Sequence, residues 1–131
     1  MHDPRFGELS HAILGACIEV HRQLGPGLLE SAYEECLVSE LGERGLPFER
    51  QPHVRLVYKG RLVNQTFRPD FIVRGSVVLE VKSVETIRSV HKAQLRTYLK
   101  LCHVPVGLLV NFNVPLLREG GIRRFMLPSK A

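Results

Sequence analysis

The spacing of apolar residues predicts two helices in the first third of the chain. Over about residues 8–24, apolar side chains recur every three or four positions, which is the pattern of an amphipathic helix. Gly25-Pro26-Gly27 ends this segment, and the same periodicity returns over about residues 29–44. Gly45 and Pro47 then end the second predicted helix.

The pattern changes after residue 50 to short runs that are rich in β-branched and aromatic residues. These runs predict two hairpins, the first joining 54–58 to 62–67 and the second joining 71–73 to 77–81. Lys59-Gly60 forms the first predicted turn, and Arg74-Gly75-Ser76 forms the second.

The last third of the chain predicts a helix followed by two strands. Helical periodicity covers about residues 86–102, and the almost entirely apolar run 106–112 is typical of a strand that is buried on both faces. A short strand is predicted at 122–127. The predicted order is ααββββαββ, which indicates an α+β sandwich around a central sheet.

Composition places the chain among ordinary globular domains. It has 131 residues, of which 44% are hydrophobic and 24% charged, so residues 1–131 are expected to form one domain. This balance excludes a disordered, collagen-like or coiled-coil chain. No apolar run approaches the roughly 20 residues that cross a bilayer, so no membrane partner is expected. The polar start, Met1-His2-Asp3-Pro4-Arg5, shows no secretory signal, and we expect a cytoplasmic protein.

Cysteine content and net charge add little about function. Cys17, Cys36 and Cys102 are far apart and form no C-x-x-C pair, so we expect free thiols in a reducing compartment and no zinc site. The net charge of +5 permits an acidic partner such as nucleic acid, but by itself it supports little more than solubility.

Two acids of the second predicted hairpin point to chemistry. If its turn has an odd number of residues, Asp70 and Glu80 lie directly opposite each other, with Cβ atoms about 5 Å apart. At an effective dielectric near 20 their charges repel by about 3 kcal/mol, and a divalent cation removes that cost. Lys82 shares the face of Glu80. The alternative is an exposed sheet face on which Lys82 is simply an ion-pair partner.

Three helical side chains are polar where packing favours apolar residues. Glu30 lies on the apolar arc of the second helix, although an acid in a first turn also suits the helix dipole. Gln94 and Tyr98 lie with His91 on the apolar arc of the third helix, where Gln94 is expected to make buried hydrogen bonds. A purely structural amide explains Gln94 equally well. His21 either faces a site near Glu30 or interacts with the end of its own helix.

The third helix also carries a basic stripe. Its members follow one another at i, i+4 spacing: Arg88, Lys92, Arg96 and Lys100. The stripe is centred roughly 140° around the helix from Tyr98, so we expect it to face solvent and not the carboxylates.

Taken together, these residues resemble a known family. The chain carries three motifs in order: Gly27-x-x-Glu30-x-x-Tyr33, Pro69-Asp70 followed by Glu80-x-Lys82, and Gln94-x-x-x-Tyr98. They look like the motifs of the GxxExxY family of small bacterial proteins, which is part of the PD-(D/E)xK nuclease superfamily and of its RecB-like and phage-exonuclease-like branch.

The resemblance implies a fold and a chemistry. The fold is a restriction-endonuclease-like core, αβββαβ, with an extra N-terminal helix. The implied metal ligands are Glu30, Asp70 and Glu80, which would hold Mg²⁺ or Mn²⁺. Lys82 would be the catalytic lysine, and Gln94 and Tyr98 would complete the site.

The predicted function is metal-dependent hydrolysis of DNA phosphodiester bonds. One alternative is a non-cleaving nucleic-acid-binding or accessory subunit that retains the metal site. Another is an interaction protein in which the acids pair with Arg68 and Lys82. The residues leave a homodimer or an accessory protein partner open.

Overall fold

The computed structural model describes residues 4–128, so the expectation drawn from Met1-His2-Asp3 lies outside the described residues. Within this range the chain forms three helices, α1 (Pro4–Leu24), α2 (Glu30–Glu43) and α3 (Ser89–Cys102). It also forms seven strands: β1 (Phe48–Arg50), β2 (Val54–Tyr58), β3 (Arg61–Phe67), β4 (Phe71–Val73), β5 (Val77–Lys82), β6 (Val106–Asn111) and β7 (Ile122–Met126).

Five strands make a mixed central sheet with helices on both faces. The strand order is β1-β4-β5-β6-β7, in which only β5 and β6 run parallel. Alternate residues of β5 divide between the two layers, since Leu79 packs in the cluster formed with α1 and α2, while Val78 packs with Leu95 and Leu99 of α3. Every residue of β6 is buried, as its apolar run predicts.

The α+β sandwich is therefore confirmed. The order α2-β1-β4-β5-α3-β6 has the αβββαβ pattern of the expected core, and α1 is the extra N-terminal helix. Among residues 4–128, no helix is long and apolar enough to cross a bilayer.

Two details of the predicted element order were wrong, and the sheet membership of the first hairpin was not predicted. Strand β1 was missed because it has only three residues, of which Phe48 alone is apolar. The hairpin β2–β3 forms a separate two-stranded sheet. The third helix begins at Ser89 and not at residue 86, because the extended backbone of Arg88 donates its N–H to Nδ1 of His91 and so caps the first turn.

Both predicted hairpin turns are present. Lys59 and Gly60 have φ angles of 52° and 77°, as a two-residue type I′ turn requires. The second turn has three residues, because Val73 pairs with Val77 and Phe71 pairs with Leu79. The expected odd count is confirmed.

Tyr33 attaches the α1–α2 connection to the core. Its ring stacks on Phe112 with centroids 4.5 Å apart, and its hydroxyl donates to the Gly25 carbonyl at 2.6 Å. The same hydroxyl accepts from the Leu28 N–H at 3.2 Å. A buried aromatic ring thereby fixes the loop that leads to Glu30.

Glycine substitutions test the packing of α3 on the sheet. A Cβ on Gly107 would lie 2.9 Å from Cδ1 and 3.0 Å from Cγ of the fully buried Leu95. We expect Gly107→Ala to lower the free energy of unfolding by about 1–3 kcal/mol. Gly42→Ala is the matched control, because this helical position has open space around it, and it should raise stability by roughly 0.5–1 kcal/mol. Urea unfolding measures both. Equal effects of the two substitutions would contradict the packing described here.

Candidate active site

Asp70 and Glu80 lie side by side, and the carboxylate of each accepts a hydrogen bond from a backbone N–H of the neighbouring strand segment. The Asp70 N–H donates to Glu80 Oε2 at 2.7 Å, and the Val81 N–H donates to Asp70 Oδ2 at 2.8 Å. The β4–β5 register, which pairs Phe71 with Leu79, places the two acids opposite each other on the α3 side of the sheet. Two carboxylates are thus kept close together by backbone donors that any sequence could supply.

The environment disfavours the charge of both acids. Burial, opposed by the Val81 N–H, raises the pKa of Asp70 to about 6. Burial and then the charge of Asp70 raise the pKa of Glu80 to about 8, and only 3% of the Glu80 surface is exposed. A buried acid pair with raised pKa values is a frequent feature of functional sites.

Two of the other predicted site residues lie beside this pair. Lys82 is half-buried, and its positive charge opposes the rise in pKa of both acids. Tyr98 of α3 is also half-buried. Its own pKa is raised by burial and then by the charges of Glu80 and Asp70.

Glu30 approaches the end of β5 from the opposite helical layer. Its Oε2 accepts from the Ser83 N–H at 3.1 Å, and the Ser83 hydroxyl donates to the Leu28 carbonyl at 2.5 Å. The charge of Glu30 contributes to the raised pKa of Asp70. The start of α2 is therefore attached directly to the segment that follows Lys82.

Two expectations about polar helical residues were wrong. Gln94 is exposed on α3 and is not held in buried hydrogen bonds. His21 is buried, but its Nε2 donates to the Val114 carbonyl at 2.8 Å and its ring lies 6.1 Å from that of Phe112, so it belongs to the core.

A buried acid beside the site was missed from the sequence. Glu34 is 5% exposed and adds to the raised pKa of both Asp70 and Glu80. Its Oε1 accepts from Gln51 Nε2 at 3.1 Å. Glu34 lies four residues after Glu30, so both face the same way on α2. The i, i+4 spacing from Glu30 could therefore have identified Glu34 as a residue beside the site.

The basic stripe of α3 lies on a different side from the acids. The guanidinium of Arg96 covers the ring of Phe125 on β7, 4.8 Å from its centroid. Tyr98 points away from β7, and its ring stacks on Phe67 of β3 in the separate hairpin. These contacts agree with the expected orientation of the stripe.

The acid pair suits a divalent cation of the Mg²⁺ type. Among residues 4–128, no three His, Cys, Asp or Glu side chains form a group that could enclose a metal ion. Mg²⁺ does not require one, because it keeps several waters and commonly takes one or two carboxylates together with substrate phosphates. Asp70 and Glu80 supply those two carboxylates, and the repulsion that raises their pKa values would be relieved by a cation.

The raised pKa values predict that the metal-free protein loses stability as pH rises. In the unfolded chain both acids release their protons near pH 4, whereas the folded protein holds them until about pH 6 and pH 8. The folded state binds more protons in this window, so the free energy of unfolding falls as the pH rises from about 4.5 to about 8. We expect Asp70→Asn to stabilise the protein at pH 8 and to flatten this slope.

Urea unfolding in EDTA across this pH range measures the effect, with the exposed Glu49→Gln as the matched control. If Asp70→Asn destabilises the protein at pH 8 and leaves the slope unchanged, the acids are structural.

The described geometry agrees with a match to a known protein family. The chain matches the model of the PD-(D/E)XK nuclease superfamily over residues 7–125, a range that includes the acid pair and Lys82. No curated protein and no solved structure matches the chain. Because the family match covers most of the sequence, the chain belongs to the PD-(D/E)XK nuclease superfamily.

Proposed function

We propose that the protein is a Mg²⁺- or Mn²⁺-dependent nuclease that hydrolyses DNA phosphodiester bonds. The observation that carries the proposal is the pairing of Asp70 with Glu80 beside Lys82, in a chain that matches the superfamily over residues 7–125. Such a pair is costly without a cation, and its raised pKa values are typical of catalytic acids.

The proposal gives each residue a role. Asp70 and Glu80 would hold the cation, and Glu30 would add a carboxylate from α2, although among the described residues the three acids do not form a complete ligand group. A bound Mg²⁺ or Mn²⁺ lowers the pKa of a bound water and neutralises charge on the phosphate. Lys82 donates to the scissile phosphate or orients the attacking water. Gln94 and Tyr98 orient the substrate from α3, and the exposure of Gln94 leaves its amide free to reach a ligand.

Three further statements belong to this proposal. We assign the chain to the GxxExxY group within the RecB-like and phage-exonuclease-like branch, on the basis of the motif around Glu30. We treat residues 1–131 as one nuclease domain. We place the protein in the cytoplasm, which is supported by its free thiols at Cys17, Cys36 and Cys102.

One observation favours a second candidate function. Since the described residues contain no complete three-ligand group, a non-cleaving accessory subunit that clamps nucleic acid remains the alternative. Metal binding is expected for both the nuclease and the accessory subunit, so it does not distinguish them. A variant that still binds metal but no longer cleaves nucleic acid would identify the nuclease.

Metal binding should raise the melting temperature of the protein. At a concentration about ten times Kd, binding to the folded state adds about 1.4 kcal/mol, or roughly 3–6 °C for a chain of this size. Glu80→Gln should lose most of this shift because it removes one of the two paired carboxylates, and Glu49→Gln should retain it. A melt that millimolar Mg²⁺ and Mn²⁺ leave unchanged would argue against the proposed metal site.

Lys82→Ala should separate catalysis from metal binding. Lysine is not a ligand of the cation, so metal-dependent stabilisation should persist or increase slightly. Cleavage should fall by about 10²–10³, as when one electrostatic stabiliser of the transition state is lost. The assay uses single- and double-stranded DNA and RNA with Mg²⁺ or Mn²⁺, and Glu80→Ala serves as the inactive reference.

Arg88→Ala/Lys92→Ala is the matched control for charge and should cleave at close to the wild-type rate. Full activity of Lys82→Ala would disprove the proposed mechanism. Wild-type protein that binds metal and DNA but cleaves none of the four substrates would favour the accessory subunit.

A further inference from the structure

The β2–β3 hairpin projects from the fold next to the acid pair. It forms a sheet of its own, outside the order β1-β4-β5-β6-β7. Two residues, Arg68 and Pro69, connect its second strand to Asp70. Whatever binds the hairpin is therefore brought close to the proposed catalytic site.

Three contacts fix the base of the hairpin against the site. The Gln51 N–H donates to the Asp70 carbonyl at 2.8 Å, and Arg68 donates to Gln51 Oε1 at 2.7 Å. The ring of Phe67 stacks on Tyr98 with centroids 5.2 Å apart. The residues that hold the base are thus neighbours or members of the site itself.

The hairpin carries positive charge without any acidic residue. Residues 54–68 contain four basic side chains and no acidic one, in a protein whose net charge is +5. All four are exposed: Arg55, Lys59, Arg61 and Arg68. Part of the positive charge that composition alone left unlocated therefore lies beside the acids.

The tip combines this charge with an exposed aromatic ring. Tyr58 is 62% exposed and lies directly opposite Arg61 in the register. Lys59 Nζ lies 5.5 Å from the centre of the Tyr58 ring. Cations and an exposed ring on one projecting element are the combination with which proteins hold a nucleic-acid strand.

We propose that the β2–β3 hairpin binds the phosphodiester backbone of a nucleic acid beside the acid pair, with Lys59 and Arg61 on phosphates and Tyr58 on a base or sugar. This inference rests on the proposed function and deepens it. The carboxyl groups of Glu30, Glu34, Asp70 and Glu80 offer phosphate no positive charge, so a neighbouring basic element is suited to supply the attraction. The basic stripe of α3 lies on the opposite side, at β7.

A second copy of this chain is a poorer occupant of the same surface. In a two-fold symmetric contact centred on the hairpin, each hairpin would face its image in the other copy, which brings like charges together without a compensating acid. Charge complementarity therefore favours a polyanion.

The test removes the charge at the tip while preserving the turn. Lys59→Asn/Arg61→Gln creates Asn-Gly, the preferred type I′ sequence, so weaker binding of this variant is not explained by loss of the hairpin. Lys92→Gln/Lys100→Gln on α3 removes the same charge elsewhere. Fluorescence anisotropy with labelled single-stranded and duplex 20-mers in EDTA, at several salt concentrations, compares both variants with wild type.

We expect the tip variant to bind at least about fivefold more weakly than the α3 variant at 0.1 M salt. Its plot of log K against log[salt] should be less steep, with the magnitude of the slope reduced by about 2, because each lost phosphate contact reduces that magnitude by roughly 1. Arg61→Lys should retain wild-type binding because it keeps the charge. Tyr58→Ala should weaken single-stranded binding more than duplex binding, because only unpaired bases are free to stack.

The outcomes separate this inference from the proposed function. If wild-type protein cleaves nucleic acid but the tip and α3 variants bind equally, the hairpin inference is wrong and the nuclease stands. If wild-type protein binds DNA through Lys59 and Arg61 but cleaves nothing, the inference stands and the nuclease fails. A wild-type dimer that the tip variant converts to monomer, with DNA binding unchanged, would show that the hairpin binds a second copy instead.

Discussion

The register between β4 and β5 is the constraint on which both the core and the acid pair depend. The three-residue turn at 74–76 pairs Phe71 with Leu79, and the same register carries Asp70 to the position opposite Glu80. Side chains alternate between the two faces of a strand. A shift by one residue would therefore move Glu80 to the α1–α2 side of the sheet and Leu79 to the α3 side. Burial of the apolar residues of β5 thus enforces the placement of its acid.

That placement carries a free-energy cost which the backbone partly offsets. Burial raises the pKa of Asp70 and Glu80, and Glu34 and Glu30 add negative charge around Asp70. Each acid of the pair nevertheless accepts a backbone N–H, at 2.7 and 2.8 Å. The Lys82 ammonium offsets the repulsion further. The site is stable enough to fold, while both carboxylates retain one oxygen that is not held by these bonds.

The sequence predicted those parts of the fold whose signals are local. Helical periodicity predicts α1 and α2, and the turn chemistry of Lys59-Gly60 and residues 74–76 predicts both hairpins and the opposition of the acids. Strand β1 escaped prediction because its three residues are defined by their pairing with β4, a contact between distant segments. The position of the β2–β3 hairpin outside the central sheet likewise depends on which partner β4 takes.

Burial of polar side chains was the least predictable property of the site. Gln94 lies on the predicted apolar arc of α3 and Glu34 lies one turn after Glu30 on α2, yet Gln94 is exposed and Glu34 is buried. The difference arises from what covers each helix. Gln51, with a positive φ of 47°, turns its amide to Glu34, and that turn is set by the hydrogen bond to the Asp70 carbonyl.

The end of β5 shows why the relative positions of the site residues are held by non-local contacts. Ser83 donates its N–H to Glu30 and its hydroxyl to the Leu28 carbonyl, which binds it to the start of α2. The next residue, Val84, is held by the buried amide of Asn111 through two hydrogen bonds of 3.1 and 2.9 Å. Lys82 itself pairs with Asn111 across the parallel strands. Helix α2 and strand β6 thus both fix the backbone that follows Lys82.

These contacts use backbone atoms and buried polar groups. They therefore fix the position of Glu30 relative to Lys82, although the two residues are 52 positions apart along the chain.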